Sequence, residues 1–157
     1  MRILYAFRKR KHSLTRFLLR NLNRLAIAIT GFLLKKKGTV GWVSSQKMRL
    51  IGFFCHKAID IHDPVRNTKN SGFLPEERDW MSRYLDSGFI DTFRHYNQDP
   101  HNYTWWSYRV DTRSRNLGWR IDYQMVSHEV GPQLLDAAIL PIVNHSDHCP
   151  TLLEMDF

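Results

Sequence analysis

Apolar and polar side chains alternate from Trp119 to Val126, the period that places successive side chains on opposite faces of a strand. One face takes Trp119, Ile121, Tyr123 and Met125, and the other takes Arg120, Asp122 and Gln124. The pattern therefore predicts a β-strand with Asp122 on its polar face.

A different period, with apolar positions three and four residues apart, begins after Pro75. Proline suits the first turn of a helix, and the acidic pair Glu76 and Glu77 complements the positive end of the helix dipole. Gly88 suits the position just beyond the last turn. The stretch predicts a helix of about 11 residues. Its buried face is expected to consist of Trp80, Met81, Tyr84 and Leu85.

Shorter patterns predict the remaining elements. Strands are expected at 39–43, Tyr103–Tyr108, Ala138–Val143 and Cys149–Asp156, and one or two helical turns at Glu129–Leu135. A length of 157 residues and a hydrophobic share of 43% suit one globular domain with a buried core.

A basic amphipathic pattern runs from Leu14 to Ile29, where apolar residues recur at helical spacing and arginines lie between them. Ser13 suits the N-cap of this predicted helix. Such a helix could lie on an anionic membrane or bind nucleic acid. A solvated helix or a disordered basic arm fits the same pattern.

Charge divides the chain near residue 60. All 15 Asp+Glu residues follow residue 59, whereas 14 of the 23 Lys+Arg residues precede it. The formal net charge of +8 is therefore the sum of a strongly basic segment and a mildly acidic one. We expect a basic N-terminal segment, residues 1–50, and a separate folded part, residues 51–157. Only the first has the charge that steers a protein to nucleic acid.

Two classes of protein are disfavoured by the sequence. The longest uncharged apolar run, Leu25–Leu34, is shorter than the roughly 20 residues of a membrane-spanning helix. Cys55 and Cys149 are too few for a disulfide framework and lack zinc-site spacing, so a cytoplasmic location is expected. Cys149 fits a small buried residue better than a thiol nucleophile.

Four spaced motifs carry the chemistry. They are Asn67-Thr68-Lys69-Asn70-Ser71-Gly72-Phe73, Tyr103-Thr104-Trp105-Trp106-Ser107-Tyr108, Gly118-Trp119-Arg120-Ile121-Asp122-Tyr123 and Ser146-Asp147-His148-Cys149-Pro150. The last two place an Asp and an Asp-His pair at neighbouring strand ends, a layout suited to cutting phosphodiesters. From about residue 56 to residue 157, the motifs resemble, in the same order, the C-terminal half of the exonuclease III / apurinic endonuclease family of DNA-repair nucleases.

The resemblance implies an α/β fold, in which two mostly antiparallel sheets and their outer helices form a four-layer sandwich. This chain would hold a partial sandwich, the C-terminal half of a DNase I-like domain. We expect material for roughly one sheet, with an incompletely covered apolar face at Trp105, Trp119, Ile121 and Met125. An exposed face of this kind favours self-association. No stable protein partner is indicated.

The resemblance also assigns roles to residues. His148 would face the scissile phosphate, Asp122 would orient His148, and Asp147 would bind a metal ion or handle a proton. Trp105, Trp119 and Ile121 would line a pocket for a base-free sugar, Arg109 would enter the DNA groove, and Asn67 and Asn70 would lie near the active site and the DNA backbone. The implied cofactor is Mg²⁺ or Mn²⁺, and the implied substrate is double-stranded DNA with abasic sites or 3′ ends.

One motif of the family is damaged. Where members carry Gly-Asp-x-Asn, this chain reads Gly52-Phe53-Phe54-Cys55-His56, without the Asp or the Asn. Phenylalanine can neither ligate a cation nor accept a proton. The metal-binding Glu and phosphate-contacting Tyr of the family's N-terminal half are also not found. We therefore expect a truncated or frame-shifted relative of a Mg²⁺-dependent DNA-repair nuclease that incises at abasic sites and trims 3′ ends, and we expect this chain to be an inactive remnant.

Other functions remain open at this point. The basic N-terminal helix alone would suit a noncatalytic nucleic-acid-binding protein or a membrane-surface protein. Phosphatases of inositol lipids and phospholipid-cleaving enzymes share the superfamily fold. The Asn67 and Asn70 loop, together with Trp105 and Trp119, favours DNA among these substrates.

Overall fold

Seven strands form two small sheets in the part of the chain that the structure describes. The structure is a computed structural model, and it describes residues 54–156 in full and the backbone of segments 33–36, 39–40 and 48–52. The strands are β1 (Leu33–Lys36), β2 (Thr39–Val40), β3 (Met48–Gly52), β4 (Phe89–Asp91), β5 (Asp122–Ser127), β6 (Leu134–Ile139) and β7 (Thr151–Met155). One sheet has the order β2-β1-β7-β6, and the other has the order β3-β5-β4. Among these pairs, only β1 with β7 is parallel.

The longest described helix, α1 (Pro75–Asp86), agrees with the prediction. The Glu77 carboxylate accepts a 2.9 Å hydrogen bond from the backbone N–H of Leu74 and so holds the chain ahead of the first turn. Met81 is fully buried, whereas Trp80 is 43% exposed. The predicted buried face is therefore confirmed at Met81 and wrong at Trp80.

Short helical segments link the strands. Helix α2 (Thr92–Tyr96) follows β4 directly, and 3-10 turns occupy Ala58–Asp60 and His128–Gln133. The helical turns predicted near Glu129 are thus confirmed. The final strand, predicted at Cys149–Asp156, is confirmed as β7.

The strand predicted at Ala138–Val143 is wrong in position. β6 occupies Leu134–Ile139 because it pairs with β7 from Leu134 opposite Met155 to Ile139 opposite Thr151. The expectation of roughly one sheet is also wrong, since the strands divide between two sheets. The mixture of helices and mostly antiparallel strands confirms the predicted fold class.

Two apolar clusters pack against β5. Its one face contributes Tyr123 and Met125 to a cluster with Met81. Its end contributes Val126 to a second cluster with Val130, Leu134, Ala137, Leu153 and Met155. Because Met125 is fully buried, the predicted uncovered face is wrong at that residue. The other three members of that face, Trp105, Trp119 and Ile121, are half-buried.

A buried ionic network adjoins the chain that leads into β5. The guanidinium of Arg120 donates to Asp60 at 2.7 Å and to Asp91 at 2.6 Å, and Arg94 also donates to Asp60 at 2.7 Å. Burial alone would raise the pKa of Asp60, but the two guanidinium groups hold that pKa below its ordinary value. Arg120, which the alternation placed on a polar face, is therefore a buried residue, 1% exposed.

The predicted basic helix from Leu14 to Ile29, with its N-cap Ser13, lies outside the described residues. The division between residues 1–50 and 51–157 likewise stays a prediction. Among the described residues, no helix combines the length and apolar character needed to cross a membrane.

Candidate active site

The segment around Trp105 joins the two chemical motifs. It was predicted as a strand, but the described contacts are isolated bridges from Trp105 to Trp119 on one side and to His148 on the other. Trp105 and Trp119 exchange two backbone hydrogen bonds of 2.9 Å, and Trp106 N donates to Asp147 O at 2.9 Å. We call these bridged segments, around Trp105, Trp119 and His148, the ribbon. The ribbon brings the motif of Asp122 beside the motif of His148.

Asp122 and His148 form a hydrogen-bonded pair. Nδ1 of His148 lies 2.8 Å from Oδ2 of Asp122, and because an ionised carboxylate can only accept, the ring nitrogen is the donor. The hydrogen bond with Asp122 raises the pKa of His148 above its ordinary value, against the opposing effect of burial. The two side chains are 28% and 23% exposed, so the pair is reachable from solvent. The arrangement favours a cationic imidazole with a fixed ring orientation.

Asp147 is held by three donors. Its Oδ2 accepts from Trp105 Nε1 at 2.8 Å, and its Oδ1 accepts from Ser146 Oγ at 2.9 Å and from the Tyr108 hydroxyl at 3.2 Å. Burial alone would raise the pKa of Asp147, but the hydrogen bonds from Trp105 and Ser146 lower it below the ordinary value. A second ionised carboxylate therefore stands beside the imidazole.

Apolar side chains adjoin this polar cluster. Trp105 and Trp119 meet edge to face, with ring centroids 6.2 Å apart and planes at 87°. Trp119 and Ile121 pack against a buried cluster that includes Phe73 and Ile61. Each of the three side chains assigned to a sugar pocket is half-buried. Trp119 contacts Trp105 and shares a cluster with Ile121, and Trp105 binds Asp147.

Three other predicted site residues lie in loops. Asn67 donates to Asp63 O at 2.9 Å, and Asn70 donates to Asn67 Oδ1 at 2.7 Å, so these amides brace their own loop. Arg109 is exposed in the loop that follows Ser107. No described contact joins the three residues to Asp122 or His148, and their roles stay predictions.

Cys149 lies directly after His148 but is poorly suited to act as a nucleophile. Its thiol is buried and donates to Tyr103 O at 3.6 Å, and burial raises the pKa of Cys149 to about 12. A thiol that resists ionisation is a poor nucleophile. The interpretation of Cys149 as a small packing residue is therefore the better one.

Comparison with known proteins supports the family resemblance. No family model matches the chain. Over 99 residues it is 48% identical to an exodeoxyribonuclease of Bacillus subtilis, an alignment that covers 62% of this chain and 39% of that protein. The AP endonuclease LMAP of Leishmania major superposes with a TM-score of 0.59 at 35% identity, over 62% of this chain and 31% of that one.

A third relative is the 3′ phosphatase NExo of Neisseria, whose structure was determined with a product DNA hairpin. It superposes with a TM-score of 0.63 at 29% identity, over 70% of this chain and 45% of that one. The resemblance to the exonuclease III / AP endonuclease family is therefore confirmed. The chain spans less than half the length of each of these three relatives.

The exonuclease III / AP endonuclease family implies a divalent metal ion, and the donor set of this chain can be tested against it. Within residues 54–156, no group of three or more His, Cys, Asp or Glu side chains could hold a metal. Both oxygens of Asp147 already accept hydrogen bonds, and Oδ2 of Asp122 is bound to His148. The residues that the structure describes do not form a metal site by themselves.

The motifs assign no role to Tyr108, whose hydroxyl donates to Asp147 although its side chain is 84% exposed. Arg113 could, from the sequence alone, contact phosphate or lie in a solvated rim. In the structure it donates to the carbonyls of Ser146 at 2.7 Å and Val143 at 2.8 Å. It thereby anchors the loop that leads to Asp147. No sequence signal distinguishes such an arginine from an exposed one, because its partners are backbone carbonyls.

Proposed function

We propose that this chain carries the phosphate-binding part of a DNA-repair nuclease of the exodeoxyribonuclease III type. Such a nuclease hydrolyses phosphodiesters at abasic sites and 3′ ends. The proposal rests on the 2.8 Å hydrogen bond between His148 and Asp122. Asp147, whose carboxylate accepts three hydrogen bonds, is the residue next to His148 in the chain. An imidazole held by one carboxylate, next to a second carboxylate, is suited to handling charge and protons at a phosphate.

His148 would act on the phosphate directly. Its cationic ring, oriented by Asp122, would place an N–H donor against a nonbridging oxygen, where negative charge increases as water attacks. The hydrogen bond to Asp122 fixes which ring nitrogen remains free for the substrate. Asp122 is therefore a positioning residue, and His148 a catalytic one.

Asp147 would act on the other participant, the water. Its hydrogen bonds with Trp105 and Ser146 lower its pKa, so the carboxylate is ionised at neutral pH and can accept a proton or orient a water. The same carboxylate would also repel a phosphate, and Mg²⁺ or Mn²⁺ is the proposed counterion. Its further ligands would have to come from outside residues 54–156 or from the phosphate.

Half-buried apolar side chains beside the acidic residues support a proposed preference for damaged DNA. Trp105, Trp119 and Ile121 present half-buried apolar surface beside the acidic residues. A base-free sugar turned out of the helix would fit against such a surface, whereas a paired nucleotide stays in its stack. Arg109, exposed in the neighbouring loop, would enter the DNA groove.

The activity of this chain by itself is a separate proposal. The family's Asp and Asn of the Gly-Asp-x-Asn motif are missing, and Phe54, which stands in that segment, packs against the cluster of Met81 and Tyr123. Cooperating catalytic groups fail together when one is removed. We therefore expect that the purified chain does not cut DNA. In the cell, we propose that the chain is cytoplasmic and associated with the nucleoid.

A chimera tests the nuclease assignment apart from that defect. The B. subtilis exodeoxyribonuclease would receive residues 56–157 of this chain in place of its own matching segment. We expect incision of an abasic-site duplex in the presence of Mg²⁺ or Mn²⁺, loss of incision with EDTA, and loss with His148→Ala. A folded chimera that binds the duplex but does not cut it would contradict the proposal.

The full chain is assayed in parallel. Incision of the same duplex by the purified chain, abolished by His148→Ala, would show that it is active after all and would support the nuclease assignment. The comparisons do not favour the alternative of a noncatalytic nucleic-acid-binding or membrane-surface protein, because every relative described above is a DNA-processing enzyme by name.

A further inference from the structure

Thr104 binds two segments of backbone, the one that carries Asp122 and the one that carries His148. Thr104 is fully buried and lies next to Trp105 in the sequence. Its N–H donates to Trp119 O at 3.0 Å. It therefore belongs to the ribbon that joins the motif of Asp122 to the motif of His148.

The side chain of Thr104 binds the strand that carries Asp122. Its Oγ1 accepts hydrogen bonds from the backbone N–H of Ile121 at 3.0 Å and from the backbone N–H of Asp122 at 3.1 Å. Two adjacent N–H groups thus converge on one buried oxygen, and both of its lone pairs are used.

The main chain of Thr104 binds the segment that carries His148. Its carbonyl accepts a 2.8 Å hydrogen bond from the N–H of Cys149, the residue directly after the histidine. One residue therefore holds the backbone of Asp122 through its side chain and the backbone next to His148 through its carbonyl.

We propose that Thr104 is a positioning residue of this site, whose hydroxyl and carbonyl together set the distance between Asp122 and His148. This inference rests on the proposed nuclease function for its catalytic meaning, but the geometry it concerns exists with or without turnover. An error of about 1 Å in such a pair is enough to reduce a rate by on the order of a hundredfold.

The hydroxyl is the part of Thr104 that matters. Valine has nearly the same shape but offers no acceptor, so Thr104→Val would leave two buried N–H groups unpaired. Serine keeps the oxygen and loses only a methyl group. The Thr104→Ser variant should therefore behave like the original chain, and Thr104→Val should not.

Nuclear magnetic resonance on the full chain tests this without any nuclease assay. Two observables are followed. One is the low-field signal of the Nδ1–H proton of His148, which is assigned by its loss in Asp122→Asn. The other is the rate at which the Ile121 and Asp122 amide protons exchange. We expect Thr104→Val to weaken or remove the low-field signal and to speed exchange of both amides by about tenfold, as the loss of one hydrogen bond implies. Thr104→Ser should retain both signals.

Thr92→Val is the matched control. Thr92 is also fully buried and its hydroxyl donates to Gln124 O at 2.8 Å, but it contacts neither Asp122 nor Cys149. It should leave the His148 signal in place. The proposal is overturned if Thr104→Val leaves the amide exchange rates unchanged, or if Thr104→Ser loses the signals as fully as Thr104→Val does. Fast exchange of the Ile121 and Asp122 amides in the unaltered chain would overturn it too, with no variant needed.

The kinetic arm separates this inference from the proposed function. In the chimera with the B. subtilis protein, Thr104→Val should lower kcat by about tenfold to a hundredfold and leave KM for the abasic duplex unchanged. If the chimera does not cut DNA, the proposed function fails, while the resonance experiment still decides the role of Thr104.

Discussion

The indole Nε1–H of Trp105 donates to Oδ2 of Asp147 over 2.8 Å. One side chain is thus both part of the half-buried apolar surface that it forms with Trp119 and a partner of the carboxylate beside it. Phenylalanine could supply the same apolar surface, but it lacks the indole N–H. The apolar surface and the ionisation of Asp147 are therefore linked through Trp105.

The first prediction concerns that hydrogen bond. Trp105→Phe keeps the apolar surface and removes the donor, so the pKa of Asp147 should rise toward its ordinary value. A lowered carboxyl pKa stabilises the fold above the unfolded-state pKa of about 3.9, and this contribution is lost as the pH falls through the lower folded-state value. Titration of the Asp147 carboxyl carbon by NMR measures the change. In Trp119→Phe, whose indole does not bind Asp147, the pKa should stay low.

The second prediction concerns His148. Asp122→Asn keeps a hydrogen-bond acceptor but removes the charge, so the raised pKa of His148 should fall toward or below about 6.5. The stabilising contribution of a raised histidine pKa is present below the unfolded-state value and is lost as the pH rises through the folded-state value. The unaltered chain should therefore lose this contribution above about pH 6.5, and Asp122→Asn should lose the pH dependence.

Titration of the ring proton of His148 by NMR, with thermal melts at acid and alkaline pH, provides the measurement. The exposed Asp86, at the end of α1, offers the matched control Asp86→Asn. An unchanged titration of His148 in Asp122→Asn would mean that the 2.8 Å pair does not govern its charge.

The family resemblance of the motifs, together with the alternation that places Asp122 on a polar face, predicted the pair of Asp122 and His148. Asp122 lies on a strand whose period can be read directly, and His148 lies just before β7, so both ends of the pair were named from the sequence. Their 2.8 Å contact depends on the Trp105 bridges. Isolated bridges give no periodic signal, and the continuous strand predicted there does not exist.

The sequence could not reveal the burial of Arg120. The alternating pattern predicts opposite faces for Arg120 and Tyr123, but the Arg120 guanidinium lies over the Tyr123 ring, 4.2 Å from its centroid. Alternation also does not show whether a charged side chain meets water or another charge. The partners Asp60 and Asp91 lie 60 and 29 residues away in the chain. Such long-range pairing is decided by tertiary packing, and the same holds for the carbonyls that bind Arg113.

The third prediction tests the buried network. Asp60→Asn leaves Arg94 and Arg120 short of one negative charge in a fully buried position. Breaking a buried ion pair by removing one partner destabilises a protein by about 3–5 kcal/mol, because the remaining charge is uncompensated. Urea unfolding followed by tryptophan fluorescence measures the free energy of unfolding. Arg83→Ala, which breaks an exposed pair with Asp79 on α1, should cost no more than about 1 kcal/mol. Equal losses for the two variants would contradict the prediction.

The fourth prediction concerns the glycine that begins the Gly118–Tyr123 motif. A Cβ at Gly118 would lie 2.5 Å from Trp106 Nε1 and 2.7 Å from Tyr103 Cβ, distances at which atoms must move. Both neighbours are buried, and the Trp106 indole is held by a hydrogen bond to Asn116. Gly118→Ala should therefore destabilise the fold by about 1–3 kcal/mol, the range for overpacking a filled site.

Gly131→Ala is the appropriate comparison for Gly118→Ala. Its Cβ would meet a single atom, Cδ1 of Ile90 at 2.9 Å, and that atom ends a flexible side chain which can rotate away. The free energy of unfolding should fall less for Gly131→Ala than for Gly118→Ala in the same urea series. Because Gly118 precedes Trp119 in the ribbon, Gly118→Ala should also weaken the low-field His148 signal, whereas Gly131→Ala should preserve it. A stable Gly118→Ala chain with an unchanged signal would show that the ribbon tolerates displacement and does not hold Asp122 and His148 together.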